Sequence, residues 1–132
     1  MSLVTLTTGN LLLRLSPSVG GSISAFEWTE AGASARPLLR KCNNPPQKVL
    51  DASSFPLVPY VNRIRGGTFQ FRGRTVRLQP NMAGDPSPLH GQGWLNPWTL
   101  EREDETSAEL SFRHAADEWP WDYDAQQEFE LD

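Results

Sequence analysis

Apolar residues recur at every second position along most of this chain, and no stretch of useful length sustains a helical period. Successive side chains of a strand point to opposite faces, so each such run specifies a strand with one face buried. Val4 to Thr8 and Leu11 to Ser16 flank Gly9-Asn10, a two-residue hairpin signal, and Leu11, Leu13 and Leu15 share one face. Gly20-Gly21 then punctuates the chain before ISAFEW, where Ile23 and Phe26 break strict alternation and predict a bulge or bend. In GTFQFRGRTVRLQ, Phe69 and Phe71 are set against Val76 and Leu78 across an Arg72-Gly73 turn, where glycine supplies a positive φ. A further strand is expected over Trp98 to Arg102, returning after EDET through Ala108, Leu110 and Phe112. The last runs through Tyr123, Ala125, Gln127, Phe129 and Leu131. The class is all-β and antiparallel, with residues 1–132 forming a single unit.

Between Arg40 and Tyr60 the pattern stops. Pro45, Pro46, Pro56 and Pro59 lack a donor N–H, which excludes a central strand and predicts a long irregular segment of the kind that often carries function. The net charge is -4, with no basic cluster able to track a phosphate backbone, so nucleic acid is not an expected partner. No apolar run approaches the roughly 20 residues that span a bilayer, and the N-terminus lacks the pattern of a secretory signal. With Cys42 alone and unable to form an internal disulfide, the expectation is a soluble, cytoplasmic protein with no membrane partner. The final strand has no closing turn within the chain, which predicts an incomplete sheet whose open edges favour a homodimer or strand exchange.

The residues able to carry chemistry lie in two stretches. In PSPLHGQGW, His90 sits beside Gly91 and Gly93, which permit sharp turns and close approach to a ligand. The imidazole there reads as a structural group, a metal ligand or a proton-transfer group. An unperturbed imidazole titrates near pH 6.5, so the third role needs little tuning. Trp94 and Trp98 offer apolar faces suited to the C–H surface of a sugar, or equally belong to the core; Trp94 is the better cleft candidate. In VPYVNRIRGG, Asn62 offers a donor and acceptors and Arg63 a planar fork of donors, groups that suit vicinal hydroxyls. The plainer alternative has Asn62 capping a turn and Arg63 forming a surface ion pair.

No metal is expected. His90 and His114 are the only histidines, no ligand spacing is present, and aspartates such as Asp85 and Asp117 would join them only through a coincidence of folding. His114, at the end of a predicted strand, reads as a solvated loop histidine. The alternating positions of Glu128 and Glu130 put them on a polar strand face.

Taken in order, GGSISAFEW, FPLVPYVNRIRGGTFQFRG and PLHGQGW resemble the aldose 1-epimerase (galactose mutarotase) family across nearly the whole chain. LHG alone is a weak signal; the ordered set is specific. The resemblance implies a large antiparallel β-sandwich of the galactose mutarotase-like supersandwich type, of which this chain matches the N-terminal part. It implies an aldohexose such as galactose or glucose as partner, interconversion of α and β anomers by acid–base ring opening, and no cofactor. Asn62 and Arg63 match positions that hydrogen-bond sugar hydroxyls. His90 matches the first of two active-site histidines, a catalytic and substrate-binding position. The family's second histidine and its glutamate base come from later sequence and have no counterpart here. Three readings follow: the sugar-orienting half of an epimerase, a non-catalytic carbohydrate-binding or regulatory protein on the same fold, and an epimerase of a phosphorylated hexose. The last would need a cationic pocket, and the alternation places Arg65, Arg72, Arg74 and Arg77 mostly toward solvent.

Overall fold

The computed structural model describes residues 3–42 and 45–132. Its strands fall into three antiparallel groups. The first sheet holds β1 (Val4–Thr8), β2 (Leu11–Ser16), β3 (Ser22–Trp28) and the two-residue β4 (Arg36–Pro37), in that spatial order. A separate hairpin joins β5 (Thr68–Phe71) to β6 (Arg74–Arg77), and a third sheet holds β7 (Thr99–Glu103), β8 (Ser107–His114) and β9 (Tyr123–Glu130).

The turns form where the sequence demands them. Gly9 takes φ 50°, closing β1 onto β2 with Leu6 opposite Leu13. Between β2 and β3 the register shifts: Arg14 faces Ala25 and Leu15 faces Ile23, so Ser24 is the extra residue of the expected bulge. Its hydroxyl donates to the Arg14 carbonyl at 3.3 Å. In the β5–β6 hairpin Phe69 lies opposite Val76 as expected, but Phe71 faces Arg74 rather than Leu78. Arg72 and Gly73 both have positive φ and form the expected two-residue turn, whose length itself sets Phe71 opposite Arg74 and leaves the Leu78 N–H to the Gly67 carbonyl at 2.7 Å. Trp98 lies just outside β7, with its N–H bonded to Pro17 O at 2.8 Å.

The first and third sheets pack face to face. Val4, Leu6, Leu13 and Leu15 form one core with Ala108, flanked by Ile23, Phe26, Leu100 and Phe129. Replacing a fully buried leucine such as Leu6 or Leu15 by alanine costs about 2–5 kcal/mol in cores of this kind. A second, smaller core of Val49, Leu89 and Trp94, with Val19, Phe55 and Met82 against it, lies under the loops. Gly20 is what lets the first sheet meet this core: a Cβ there would stand 2.2 Å from the Trp94 carbonyl oxygen.

Segment 40–60 is irregular apart from a 3-10 turn at Val49–Asp51 and a bridge from Ser54 to Ile23; residues 43 and 44 lie outside the described part. On β9, half-buried Tyr123, Ala125, Gln127 and Phe129 alternate with exposed Asp124, Gln126, Glu128 and Glu130. Among the described residues β9 pairs with β8 alone, so its other edge is open. No helix among them is long and apolar enough to cross a membrane.

Candidate functional site

Two loops separated by the β5–β6 hairpin meet at an isolated antiparallel bridge between Arg63 and Leu89. The Ile64 N–H reaches Pro88 O at 3.1 Å on one side of it, and the His90 N–H reaches Asn62 O at 3.0 Å on the other. In the opposite sense the Asn62 N–H donates to His90 Nδ1 at 2.8 Å. Asn62 and His90 are therefore held by a reciprocal pair of bonds, and Arg63 follows directly. The three residues that the sequence singled out sit side by side.

Both Asn62 (φ 71°) and His90 (φ 59°) occupy the left-handed region without being glycine. Such residues cost about 1–3 kcal/mol each and persist only where their surroundings over-determine them. Here the surroundings do so. Asn81 Nδ2 donates to the carbonyls of Leu89 (2.7 Å) and Gly91 (3.3 Å), while its Oδ1 accepts the Leu89 N–H at 2.7 Å. Trp94 Nε1 reaches the same two carbonyls, at 2.9 and 3.1 Å.

The hydrogen bonding fixes the imidazole's tautomer. With Nδ1 accepting, the neutral ring carries its proton on Nε2, directed away from Asn62. Partial burial, reinforced by the Arg63 guanidinium, holds the His90 pKa below the usual histidine value. The ring meets Trp94 edge-on, with centroids 5.6 Å apart.

Arg63 Nε donates to Asp85 Oδ2 at 2.5 Å, and Arg63 Nη1 reaches Asn62 Oδ1 at 3.2 Å. Asp85 Oδ1 accepts the Ser87 N–H at 2.9 Å; that bond first, and Arg63 second, keep the Asp85 carboxyl below the ordinary carboxylate range. The plainer contacts foreseen for this pair are thus present, since Asn62 Oδ1 also accepts the Arg63 N–H at 2.9 Å. They leave polar atoms facing solvent. Asn62 Nδ2 and Arg63 Nη2 have no protein partner among the described residues, and both residues are exposed.

Other expectations are corrected. Trp94 is 1% exposed and Trp98 is 5% exposed, so neither offers a face to a ligand; their indole N–H groups bond Leu89 and Gly91, and Gly93, respectively. His114 is no solvated loop histidine. It is 6% exposed, stacks on Tyr123 at 5.1 Å, and sets Nε2 3.1 Å from Trp119 O and 3.2 Å from Asp117 Oδ1. That folds loop 115–122 back over β8 and β9. Glu118 accepts the Gln79 N–H at 3.0 Å. Among the described residues no three His, Cys, Asp or Glu side chains gather as a metal-ligand set.

The loop also carries an aromatic surface that the sequence did not announce. Trp119 and Trp121 pack against Tyr60, Phe69 and Phe71, lining an open concavity of about 490 Å³ with Arg72 at its rim. Asn81 was equally unmarked, and Asp85 was named only as a chance metal ligand. Asp-Pro-Ser is a recognisable Asx-turn pattern at Asp85, but nothing local indicates that its other oxygen holds Arg63. The bonds of Asn81 span eight and ten residues, beyond any local motif.

Comparison with known proteins shows the family. The family description "Aldose 1-epimerase" matches residues 2–132. An uncharacterised protein of Escherichia coli (strain K12), YphB, is 40% identical over 117 residues, which are 86% of this chain and 37% of that protein. A crystal structure from E. coli K12, provisionally described as an aldose 1-epimerase, superposes with a TM-score of 0.85 at 37% identity, covering 98% of this chain and 42% of its own. A GalM/aldose epimerase homologue from C. elegans shares the fold with a TM-score of 0.79 at 20% identity, again over 98% of this chain and 42% of its own. The chain thus spans about two fifths of the length of these relatives.

Proposed function

This chain belongs to the aldose 1-epimerase family, and from that premise we propose that Asn62, Arg63 and His90 form the sugar-orienting part of an aldohexose site. The observation that carries the reading is the reciprocal bonding of Asn62 and His90, which joins two motifs 28 residues apart into one polar face of exposed Asn62 and Arg63 and half-buried His90. Arg63 Nη2 and Asn62 Nδ2 are donors for vicinal hydroxyls, and the Nε2–H of His90 is a third, with its direction fixed by the bond to Nδ1.

Interconverting anomers requires a proton to leave the anomeric hydroxyl and another to reach the ring oxygen as the ring opens. A neutral imidazole N–H is far too weak an acid to protonate that oxygen, but it can stabilise charge developing there, as neutral histidines do elsewhere. His90 therefore orients the sugar and polarises an oxygen at the reacting centre. Transfer of the protons belongs to a stronger acid and a base, each contributing about 10²–10⁴-fold when positioned. Asp85 is committed to Arg63 and Ser87, and His114 to Trp119 and Asp117; neither has the freedom to be that partner.

Those engagements also favour a second reading, in which the site binds a sugar without turning it over. Two measurements separate the readings: binding of galactose and glucose by titration, and anomer exchange of freshly dissolved sugar by polarimetry. Binding with accelerated exchange supports an epimerase; binding alone is expected of a sugar-orienting part as well, and favours the second reading only where a longer chain carrying residues 1–132 also binds without exchange. In either case His90→Ala is expected to weaken binding about 5–150-fold, the loss of about 1–3 kcal/mol for a hydrogen-bonding group that a bound sugar would cover. Absence of hexose binding by the unaltered protein would overturn both.

A further inference from the structure

The bonds around residues 89–91 assign a role to Asn81: we propose that it is a positioning residue, clamping the loop so that the His90 imidazole is held in one tautomer with Nε2–H outward. As a statement about sugar binding this rests on the site proposed above, but the clamp itself does not.

The clamp works on both sides of His90 at once. Asn81 takes the N–H of Leu89 and returns its own two donors to the carbonyls of Leu89 and Gly91, holding the 88–89 and 89–90 peptides before His90 and the 91–92 peptide after it. With the chain held on both sides, His90 keeps its left-handed φ of 59°, the conformation in which its backbone N–H reaches Asn62 O while Nδ1 meets the Asn62 N–H. Trp94 donates to the same carbonyls but contributes nothing to the Leu89 N–H. Removing Asn81 orphans the part-buried Leu89 N–H and loosens the chain on both sides of His90. Removing only the indole donor leaves each carbonyl with its bond from Asn81. The two residues thus share acceptors while differing in what they control.

Long-range ¹H–¹⁵N spectra of histidine-labelled protein read the tautomer directly, without any sugar. The unaltered protein is expected to show His90 with an unprotonated Nδ1 and a protonated Nε2. Asn81→Ala should produce a mixture of tautomers and faster hydrogen exchange at the Asn62 amide. Asn81→Asp, which can accept from Leu89 but sets a carboxylate against two carbonyls, should do the same and serves if the alanine variant does not fold. Trp94→Phe should keep the single tautomer even though it loses stability, an outcome that a merely structural role for Asn81 does not produce. If the loop is correctly held only a tenth of the time, hexose affinity falls about tenfold in the Asn81 variants. A single unchanged tautomer in both Asn81 variants, or a mixture in Trp94→Phe equal to theirs, overturns the proposal. Scrambling of the tautomer in a protein that binds no hexose would leave the clamp standing and refute the sugar reading alone.

Discussion

Gly91→Ala should be far more damaging than Gly73→Ala, although both glycines have nearly the same φ, 71° and 74°. Placing alanine in the left-handed region costs about 1–2 kcal/mol at either position. At Gly73 that is the whole effect, because a Cβ there has nothing within 4 Å. At Gly91 the new carbon would lie 2.3 Å from Pro59 Cδ and 2.4 Å from the Val58 carbonyl oxygen, contacts that ring and backbone atoms cannot evade by rotating. Overpacking of that kind adds about 1–3 kcal/mol, for a total near 2–5 kcal/mol. With a urea m-value of about 2 kcal/mol/M, the extra term lowers the Gly91→Ala midpoint by about 0.5–1.5 M relative to Gly73→Ala. Urea unfolding followed by tryptophan fluorescence measures both. Hexose binding should fall only in Gly91→Ala, whose strain is delivered next to His90. Equal midpoints would show that the 89–91 loop is not pressed against Val58 and Pro59, and the argument for a rigidly held imidazole would lose its basis.

Acidification should weaken the site in two stages. The His90 pKa is lowered, so its stabilising contribution is present above the unfolded value near 6.5 and is lost as pH falls through the depressed folded value; protonation at Nδ1 also ejects the Asn62 N–H. The Asp85 pKa is lowered too, so its contribution is present above about 3.9 and disappears further into acid, a stage that Asp85→Asn should abolish. A binding titration against pH checks both, and affinity that rises on acidification would contradict the assignment. His114→Ala should cost about 1–3 kcal/mol by releasing the Trp119 carbonyl and the Tyr123 stack, yet leave hexose affinity unchanged. Loss of affinity without loss of stability there would place His114 in the site after all. The open edge of β9 should drive association of this chain as concentration rises, and light scattering that shows a monomer throughout would count against it.

The local grammar of the chain was legible to the residue where turn chemistry and alternation agree. β1 and β2 begin and end at the predicted positions around Gly9-Asn10, and the bulge implied by the uneven spacing of Ile23 and Phe26 lies at Ser24. Errors arose where tertiary packing decided. The pairing of Phe71 with Leu78 failed for a local reason instead, since the two-residue Arg72-Gly73 turn itself sets Phe71 opposite Arg74. A tryptophan beside a candidate site looks like a stacking platform, but Trp94 is drawn inward by two carbonyls and a small apolar core, and alternation cannot report on either. Conversely, charge and polarity suggested water for His114, while an adjacent carboxylate and a tyrosine ring made burial affordable. Asn62, Arg63 and His90 were visible only as motifs. Their contact depends on positive φ at two non-glycine residues, which no propensity would have proposed.

A crystal structure of the protein with an aldohexose bound bears most directly on the central claim. The expected result is one pyranose within about 3 Å of His90 Nε2 and of a guanidinium nitrogen of Arg63, with the Asn62 N–H still on Nδ1. A hexose seated instead on the aromatic surface of Phe69, Phe71, Trp119 and Trp121, with the His90 face empty, would contradict it.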